Sequence, residues 1–352
     1  MRVVVVGATG NHGSSVVRRL ARDEQIQSIV GVSRRKPSLD VPKTTWVQRD
    51  ISKDSLDEVF AGADAVVHLA WLIQPGRDER ITHATNVEGS TRVFEAAARA
   101  GVGALVYASS IGAYSRGPKD RRVDESWPTE GTPTSFYGRH KAAVERTLDA
   151  FEVAHPEMRV VRLRPGLVFK AEAAEEVRRL FVGPFLPRAL VRRDLIPIVP
   201  DVDRLVFQAV HTEDLADAYR LAVVRPEARG TYNVAADPVL DPAKLAEVLG
   251  ARRVPVPAAV LRAGAAVSFK LRLQPTEPGW LDMGLNVPVM DVSRIQRELG
   301  WEPKRSASDA LLELMDAMRR GEGLKGSPQL DPATSGPGRV REFLTGVGQT
   351  SK

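Results

Sequence analysis

The chain has 352 residues, of which 43% are hydrophobic, so it is long enough to bury one large core or two smaller ones. Its formal net charge of +6 is spread over 50 basic and 44 acidic residues without a stripe of basic and aromatic side chains, so no nucleic-acid partner is expected. The lack of cysteine excludes disulfides and thiol catalysis, and the six histidines show no zinc-ligand spacing, so no metal is expected.

The first predicted element is a strand over residues 1–6 that contains four consecutive valines and is ended by a glycine. Such a run is typical of a parallel strand buried on both faces. The chain begins with this core strand and has no apolar run of about 18 residues. We therefore expect no leader peptide, no membrane partner and a cytoplasmic location, with which the absence of cysteine agrees.

A glycine-rich turn follows this strand, with the sequence Gly7-Ala8-Thr9-Gly10-Asn11-His12-Gly13. Gly7 permits a tight exit from the strand, Gly10 lets the backbone approach a pyrophosphate, and Gly13 allows close packing of the next helix, predicted over residues 11–22. The N–H groups at the start of that helix would point at the phosphates. The turn therefore predicts a dinucleotide site, the alternative being a glycine turn without a ligand.

The second predicted strand, residues 26–33, ends in Ser33-Arg34-Arg35-Lys36. An acidic residue about 20 positions after the glycines would bind the ribose 2′-hydroxyl of NAD, but none is present here. Two arginines and a serine can instead hold a 2′-phosphate. The sequence therefore favours NADP(H) over NAD(H), unless Arg34 and Arg35 are ordinary surface charges.

Strands and helices alternate through the first half of the chain, which predicts an α/β fold with a Rossmann-type doubly wound parallel sheet. Prolines interrupt the second half, which we interpret as a smaller C-terminal lobe that binds the substrate, with a helix at 258–272 packed within it rather than on a membrane surface. The expected division is 1–166 and 206–235 for the Rossmann domain, 167–205 and 236–320 for the lobe, and 321–352 for a flexible tail. Further strands are expected at Thr44–Gln48, 65–69, Ala104–Ala108 and 159–163, and further helices at 53–60, 86–100 and Phe136–Ala154.

Tyr137 and Lys141 are four residues apart, so they share one face of a predicted helix. A phenol titrates near pH ~10, and a neighbouring ammonium lowers that pKa. Such a tyrosine can exchange a proton with an alcohol or a carbonyl. Ser109 and Ser110 follow the predicted strand Ala104–Ala108, and a serine at this position could hydrogen-bond the same substrate oxygen.

These motifs, in this order, resemble those of the extended short-chain dehydrogenase/reductase superfamily, also called NAD-dependent epimerase/dehydratase proteins. The resemblance covers about residues 1–320 and includes these further motifs: Asp50-Ile51, His68-Leu69-Ala70, Asn86-Val87-Glu88-Gly89, Arg164-Pro165-Gly166, His211-Thr212-Glu213-Asp214 and Leu299-Gly300-Trp301-Glu302-Pro303.

The resemblance implies that Tyr137 is the general acid/base, that Lys141 lowers its pKa and holds the nicotinamide ribose, and that Ser110 polarises the reacting C–O bond. It also implies contacts with the cofactor, for which the expected residues are Gly7, Thr9, Gly10, Asn11, His12, Gly13, Ser33, Arg34, Arg35, Asp50, Ile51, Leu69, Ala70, Trp71, Asn86, Tyr137, Lys141 and Pro165. His68 and His211 are interpreted as structural. Trp71 and Tyr114 could line the substrate cavity or pack in the core.

Two departures from the family pattern concern the substrate. Sugar-nucleotide members carry an asparagine after the sixth strand, and the corresponding stretch 164–169 has none. Ile111 and Gly112 stand where sugar 4,6-dehydratases have Asp-Glu. Dehydration is therefore disfavoured, and sugar-nucleotide epimerisation is weakened.

The leading hypothesis is an NAD(P)-dependent oxidoreductase that transfers hydride between nicotinamide and a hydroxyl or carbonyl of a small metabolite. The first alternative is an epimerase that oxidises its substrate transiently. A third hypothesis is a redox sensor that binds the dinucleotide without chemistry. By analogy with related proteins, a homodimer through the helices at 86–100 and Phe136–Ala154 is a candidate assembly.

Overall fold

The computed structural model describes residues 1–73, 78–182, 191, 195–271, 274 and 276–332. The strands, numbered in chain order, are β1 Arg2–Val6, β2 Ser28–Ser33, β3 Thr44–Gln48, β4 Ala65–His68, β5 Ala104–Ala108, β6 Arg122–Val123, β7 Arg159–Pro165, β8 Leu167–Phe169, β9 Ile198–Asp201, β10 Phe207–His211, β11 Gly230–Val234, β12 Ala236–Leu240, β13 Arg252–Pro255 and β14 Val289–Met290. The α-helices are α1 Asn11–Ala21, α2 Asp57–Phe60, α3 Glu79–His83, α4 Gly89–Arg99, α5 Phe136–Ala154, α6 Ala174–Val177, α7 Thr212–Val224, α8 Pro242–Leu249, α9 Ala258–Lys270, α10 Pro278–Asn286, α11 Ser293–Leu299 and α12 Ala307–Arg320.

The central sheet has seven parallel strands in the order β3-β2-β1-β4-β5-β7-β11. This is the doubly wound arrangement that the sequence predicts. The chain first moves from β1 outward to β3 and then crosses to β4 on the other side of β1. Ligands of such sheets bind in the crevice at this reversal, outside the carboxyl ends of the strands.

The valines of β1 explain why this strand lies in the middle of the sheet. Val3 and Val5 are fully buried in one hydrophobic cluster with residues of α1 and α7, whereas Val4 and Val6 belong to a second cluster with residues of α4 and α5. Successive side chains of a strand point to opposite faces, so a run of valines fills both cores at once.

The predicted helix at 86–100 begins earlier in the structure. The Asp78 carboxylate accepts the N–H of Arg80 and so caps α3, and a π-helical turn, Ala84–Glu88, joins α3 to α4. Of the helix predicted at 53–60, only α2 is helical in the structure. The peptide N–H groups of Lys53 and Asp54 both donate to the carbonyl of Asp50, so these residues form a turn instead.

The second half of the chain builds smaller sheets and the remaining helices. β8, β10 and β12 form a three-stranded sheet, and α12 packs on β10 and β12. The stretch 206–235, assigned to the Rossmann domain from the sequence, is thus shared: β10 pairs with the strands of the lobe, and β11 extends the central sheet.

Helix α9 matches the helix expected at 258–272, but it buries none of its side chains. It contacts α10 through the Arg262–Asp282 ion pair. Within the described residues, no helix combines the length and the apolar character that a membrane span requires.

Residues 323–331, named here the C-terminal strap, pack along the carboxyl edge of the central sheet. Ser327 and Leu330 are buried, and the peptide N–H of Ser38 donates to the carbonyl of Gly326. The strap belongs to the segment expected to be a flexible tail, whose residues 333–352 lie outside the described residues.

Candidate active site

The glycine turn is fixed by two contacts that only glycine permits. Gly7 has a φ of +85°, and a Cβ there would lie 2.5 Å from the backbone nitrogen of Ala70. A Cβ on Gly13 would lie 2.1 Å from the carbonyl oxygen of Gly7. The turn therefore rests directly on the loop after β4 and on the first turn of α1.

Helix α1 begins beside this turn without a side-chain cap, with Gly10 as its N-cap residue. The first N–H groups of a helix have no partner inside the helix, and they form a site for phosphate oxygens. The glycine cradle and the uncapped helix start together fit the pyrophosphate of a dinucleotide.

The C-terminal strap lies against the same turn. The Ser327 hydroxyl donates to the Thr9 carbonyl at 2.8 Å, and Gln329 Oε1 lies 3.4 Å from the position that a Cβ on Gly10 would take. The Asn11 side chain turns toward the lobe instead, because its amide donates to the carbonyl of Val168 at 3.3 Å. Only the backbone of Asn11 is therefore available to a phosphate in this conformation.

His12 lies in the electrostatic field of two lysines. Burial lowers its pKa to about 3, and the charges of Lys141 and Lys170 add to this effect, so the imidazole is neutral at pH 7. Lys170 is itself buried and donates to the hydroxyls of Ser14 at 2.7 Å and Ser15 at 3.3 Å in the first turn of α1. Its ammonium thus adds positive charge next to the glycine turn.

The ends of β2 and β3 carry the residues expected at the adenosine. Ser33 donates to the carbonyl of Arg35, and the Arg35 guanidinium donates to the carbonyl of Pro328 in the strap at 2.6 Å. Arg34 is exposed and donates no hydrogen bond to any described residue.

Asp50 and Ile51, which follow β3, differ in exposure. Asp50 is partly exposed: burial opposes ionisation, but hydrogen bonds from Ser52 and the charge of Arg34 lower the pKa of its carboxyl group. Ile51 is buried against the Gly89 end of α4.

The loop after β4 brings Leu69, Ala70 and Trp71 to the same edge of the sheet. The peptide N–H of Leu69 donates to the carbonyl of Val6, which ties the loop to β1. Asn86, in the π-helical turn, accepts the N–H of Leu72 at 2.7 Å and donates to its carbonyl at 3.0 Å. Its side chain therefore holds this loop in place and is not free for the cofactor.

Tyr137 and Ser110 meet beside this loop, at the start of α5 and the end of β5. A hydrogen bond joins their side chains. Burial nevertheless raises the pKa of Tyr137 to about 12, against the lowering effect of that bond. Gly112 lies directly beneath the ring, since a Cβ there would be 2.9 Å from Tyr137 Cε1.

Lys141 does not act on Tyr137 as the sequence led us to expect. Its ammonium donates to the carbonyl of Ala108 at 2.6 Å and lies 5.8 Å from the centre of the Tyr137 ring. The Trp71 indole covers it at 3.4 Å from the ring centre. Burial lowers the pKa of Lys141 well below its usual value, against the charge of Glu145. In this arrangement Lys141 therefore does not lower the pKa of Tyr137, and its expected roles toward the phenol and the ribose stay predictions.

A buried carboxylate fixes α5 to the sheet one helical turn beyond Lys141. Glu145 accepts from Arg162 at 2.8 Å, from Arg164 at 2.9 and 3.0 Å, and from the Ser109 hydroxyl. Burial alone would raise the pKa of Glu145, but the hydrogen bonds and charges of these partners hold it at about 2. The cluster positions the helix that carries Tyr137.

The comparisons with known proteins agree with this geometry. The family model for the NAD dependent epimerase/dehydratase family matches residues 3–235. The chain belongs to this family. The extended short-chain dehydrogenase fold predicted from the sequence motifs is thereby confirmed.

One relative of this family member is an uncharacterized protein of Mycobacterium tuberculosis (strain ATCC 25618 / H37Rv), 27% identical over 92% of the chain. The chain spans 31% of that relative's length. A short-chain dehydrogenase/reductase superfamily protein from Agrobacterium tumefaciens, solved with bound NAD, is 24% identical with a TM-score of 0.67, covering 91% of this chain and 98% of its own. The UDP-glucose 4-epimerase of Thermus thermophilus, in complex with NAD, is 22% identical with a TM-score of 0.66, covering 91% of this chain and 99% of its own.

Three other residues, His68, Tyr114 and His211, make buried structural contacts, whereas the expected contact of Pro165 with the cofactor stays a prediction. His68 and Tyr114 are buried, and their side chains bond to Ser90 at 2.9 Å and to Asn233 at 2.6 Å. His211 is buried and accepts the N–H of Glu213 at the start of α7. Pro165 ends β7 in the core of the sheet and pairs with β11.

Sequence reasoning missed four features of the site. Glu145 could have been found, because it lies four residues after Lys141 on the same helix face. Lys170 follows a short strand and carries no motif. The strap and Trp280, which packs on Tyr137 at a ring-centre distance of 4.9 Å, reach the site through long-range contacts that no local pattern reveals.

We expect Glu145→Gln to reduce the free energy of unfolding at pH 7 by about 3–5 kcal/mol, because it leaves the buried Arg164 without its carboxylate and removes one of the three carboxylates that bind Arg162. The folded pKa of about 2 lies below the ordinary value of 4.5, so this stabilisation is complete above pH 4.5 and is lost as the pH falls toward 2. Urea unfolding between pH 7 and pH 3 measures both effects.

Glu157→Gln is the matched control, since Glu157 is 71% exposed and its ion-pair partner within the described part of the chain is His155. Equal stability of the two variants at pH 7 would contradict the role given to the Glu145 cluster.

Proposed function

We propose that the protein is an NADP(H)-dependent oxidoreductase that interconverts a carbonyl and a secondary alcohol on a small metabolite. The hydrogen-bonded pair of Ser110 and Tyr137, beside a glycine turn that fits a pyrophosphate, carries this proposal. Family membership and the NAD bound in two similar structures support the dinucleotide.

The choice of NADP(H) depends on Arg34 and Arg35. Arg34 is exposed at the end of β2, and its five N–H groups have no hydrogen-bond acceptor among the described residues. Arg35 is held near it by the strap carbonyl of Pro328. A 2′-phosphate would accept charge-assisted hydrogen bonds from this pair, whereas a 2′-hydroxyl would give Arg34 no anionic partner.

The chemistry assigned to the chain is acid catalysis. When bound, the nicotinamide supplies or accepts the hydride. The Tyr137 phenol is protonated at neutral pH, and burial raises its pKa further, to about 12, so a proton is present for transfer to a carbonyl oxygen. The Ser110 hydroxyl, which also accepts the N–H of Gly112 at 3.0 Å, orients that oxygen.

We assign two roles to Lys141: it binds the nicotinamide ribose, and it lowers the pKa of Tyr137. Both roles require that Trp71 first moves away from the ammonium. The indole covers the ammonium at 3.4 Å, so a ribose hydroxyl reaches Lys141 when this ring leaves it. Displacement of Trp71 would also bring the lysine charge to bear on the phenol.

Epimerisation is the second candidate, and the strap favours it. An epimerase retains its dinucleotide through turnover, and Ser327 and Gln329 lie over the turn that would hold the pyrophosphate. The two functions differ in cofactor balance: a reductase consumes NADPH in proportion to added substrate, and an epimerase shows no net change.

We expect Tyr137→Phe to lower kcat at least about 100-fold, because the variant removes the proton donor and keeps the ring that packs on Trp280. Cofactor affinity should stay within about twofold, measured by a thermal shift. The readout of catalysis is NADPH absorbance with a reducible substrate. Retained cellular function together with retained cofactor binding would support the redox-sensor alternative.

We expect Arg34→Ala to weaken NADPH binding about 10- to 100-fold and NADH binding less than about twofold, since only NADPH offers the phosphate. Lys36→Ala, a neighbouring exposed cation, is the control and should leave both affinities unchanged. Tighter binding of NADH than NADPH to the unchanged protein would overturn the assignment of Arg34 and Arg35.

We expect Ser327→Ala to accelerate NADPH release about fivefold, because it removes the hydrogen bond that fastens the strap to Thr9. Stopped-flow displacement of bound NADPH measures the rate. Lys325→Ala, at an exposed strap position, serves as the control. Slower release in Ser327→Ala would mean that the strap competes with the cofactor rather than covering it.

A further inference from the structure

We propose that the substrate presents an uncharged ring, aromatic or alicyclic, that stacks on the Trp280 indole while its carbonyl or hydroxyl faces Tyr137. This proposal rests on the proposed function, since it names the substrate class for the same site. It separates this chain from those structural neighbours that were solved in complex with a sugar nucleotide, UDP-glucose among them.

Trp280 of the lobe packs directly on Tyr137, the proposed proton donor. Its ring lies 4.9 Å from that of Tyr137 at an interplanar angle of 39°. Helix α10 comes this close because Gly279 packs on the loop before α5, where a Cβ would lie 2.2 Å from the carbonyl oxygen of Thr134. The Thr134 hydroxyl also donates to Asp282 at 2.8 Å, which fixes the helix. The indole is therefore held in place and remains partly exposed.

The surroundings of Trp280 are aromatic and apolar. Phe181 packs against it edge-on at 5.1 Å and Phe136 at 6.2 Å. Met283, one turn along α10, is buried, and its sulfur lies 2.9 Å from the position of a Cβ on Gly112. These side chains form a wall that stabilises a flat apolar ring by dispersion and by removal of its surface from water.

Among the residues that the structure describes, the charges next to Tyr137 do not suit a diphosphate. In the described part of the chain, the cation beside its ring is Lys141, which donates to the carbonyl of Ala108 and is covered by Trp71. On the lobe, Arg262 is committed to Asp282 through two hydrogen bonds. A diphosphate needs free arginines, lysines or helix N-termini, so an uncharged substrate fits this wall better.

Two unused donors indicate which substituents the ring carries. The indole nitrogens of Trp71 and Trp280 are hidden from solvent and have no acceptor among the described residues. A buried indole N–H normally finds a partner. Both rings flank Tyr137, at 5.9 Å and 4.9 Å, so an oxygen substituent next to the reacting carbonyl would supply the missing acceptor once the indole shifts to admit the substrate.

The step is a balanced reduction. The carbonyl carbon gains a hydride from the reduced nicotinamide and forms a C–H bond, while its oxygen takes the Tyr137 proton as the C=O π bond breaks. The dinucleotide is oxidised, and solvent returns a proton to the phenolate.

The test measures binding and turnover separately on the NADP+-loaded and NADPH-loaded protein. Saturation-transfer NMR with 1-tetralone, cyclohexanone and UDP-glucose reports binding without chemistry, and NADPH absorbance reports turnover. We expect the two ring ketones to bind and UDP-glucose not to bind. Trp280→Ala should weaken ketone binding at least about tenfold, and Trp280→Phe, which keeps a ring, should recover most of it.

Trp46→Phe is the matched control, because Trp46 lies on β3 and its indole nitrogen donates to Leu39. The proposal is overturned if neither ketone binds, if Trp280→Ala and Trp46→Phe bind tetralone equally, or if UDP-glucose binds in preference. A third outcome separates the two proposals: the cofactor binds and the ring ketones bind in a Trp280-dependent way, but no ketone oxidises NADPH. That result would overturn the proposed reductase function and support the proposed substrate class.

Discussion

The buried ion cluster around Glu145 is the interaction on which the candidate site depends. It joins α5 to β5 through Ser109 and to β7 through Arg162 and Arg164. Removing a carboxylate from water is costly, and only several charged donors in good geometry offset that cost. The cluster therefore stabilises one position of α5 on the sheet. Tyr137 and Lys141, two turns and one turn before Glu145, take their places from it.

The sequence predicted the central sheet well because its signals are local. Four consecutive valines indicate burial on both faces of β1. The glycines of the first turn indicate close contacts, which the structure shows with Ala70 and with the backbone of the turn itself. Helix α5 has the ends that the sequence predicts, and in the structure the Ser135 side chain caps its start. The lobe was predicted only in outline. Its short strands pair with distant segments, as β10 does with β8 and β12, and no periodicity in so few residues reveals such pairing.

The pKa values of the site residues are harder to predict from the sequence than the identity of those residues. Spacing alone indicates that Lys141 shares a face with Tyr137, but the direction of its ammonium depends on Ala108 and Trp71, which lie elsewhere in the chain. A lysine that bonds to a carbonyl and packs under an indole acts weakly on a phenol ring whose centre lies 5.8 Å from it. Desolvation then dominates, and the pKa of Tyr137 rises.

Two parts of the chain contact the candidate cofactor site, Trp71 at Lys141 and the strap at the glycine turn, and the two contacts differ in consequence. Trp71 covers Lys141, where a ribose would need the ammonium, so the indole has to give up a cation–π contact before the nicotinamide end engages. The strap instead binds the carbonyl of Thr9 through the Ser327 hydroxyl, beside the start of α1, which has no side-chain cap. Under the proposed function, the Trp71 contact would reduce the apparent affinity for a dinucleotide, since only the fraction of protein with Trp71 displaced would bind it. The strap would slow release once the pyrophosphate is bound. Cofactor exchange would then limit a reductase, but not an epimerase that retains its cofactor.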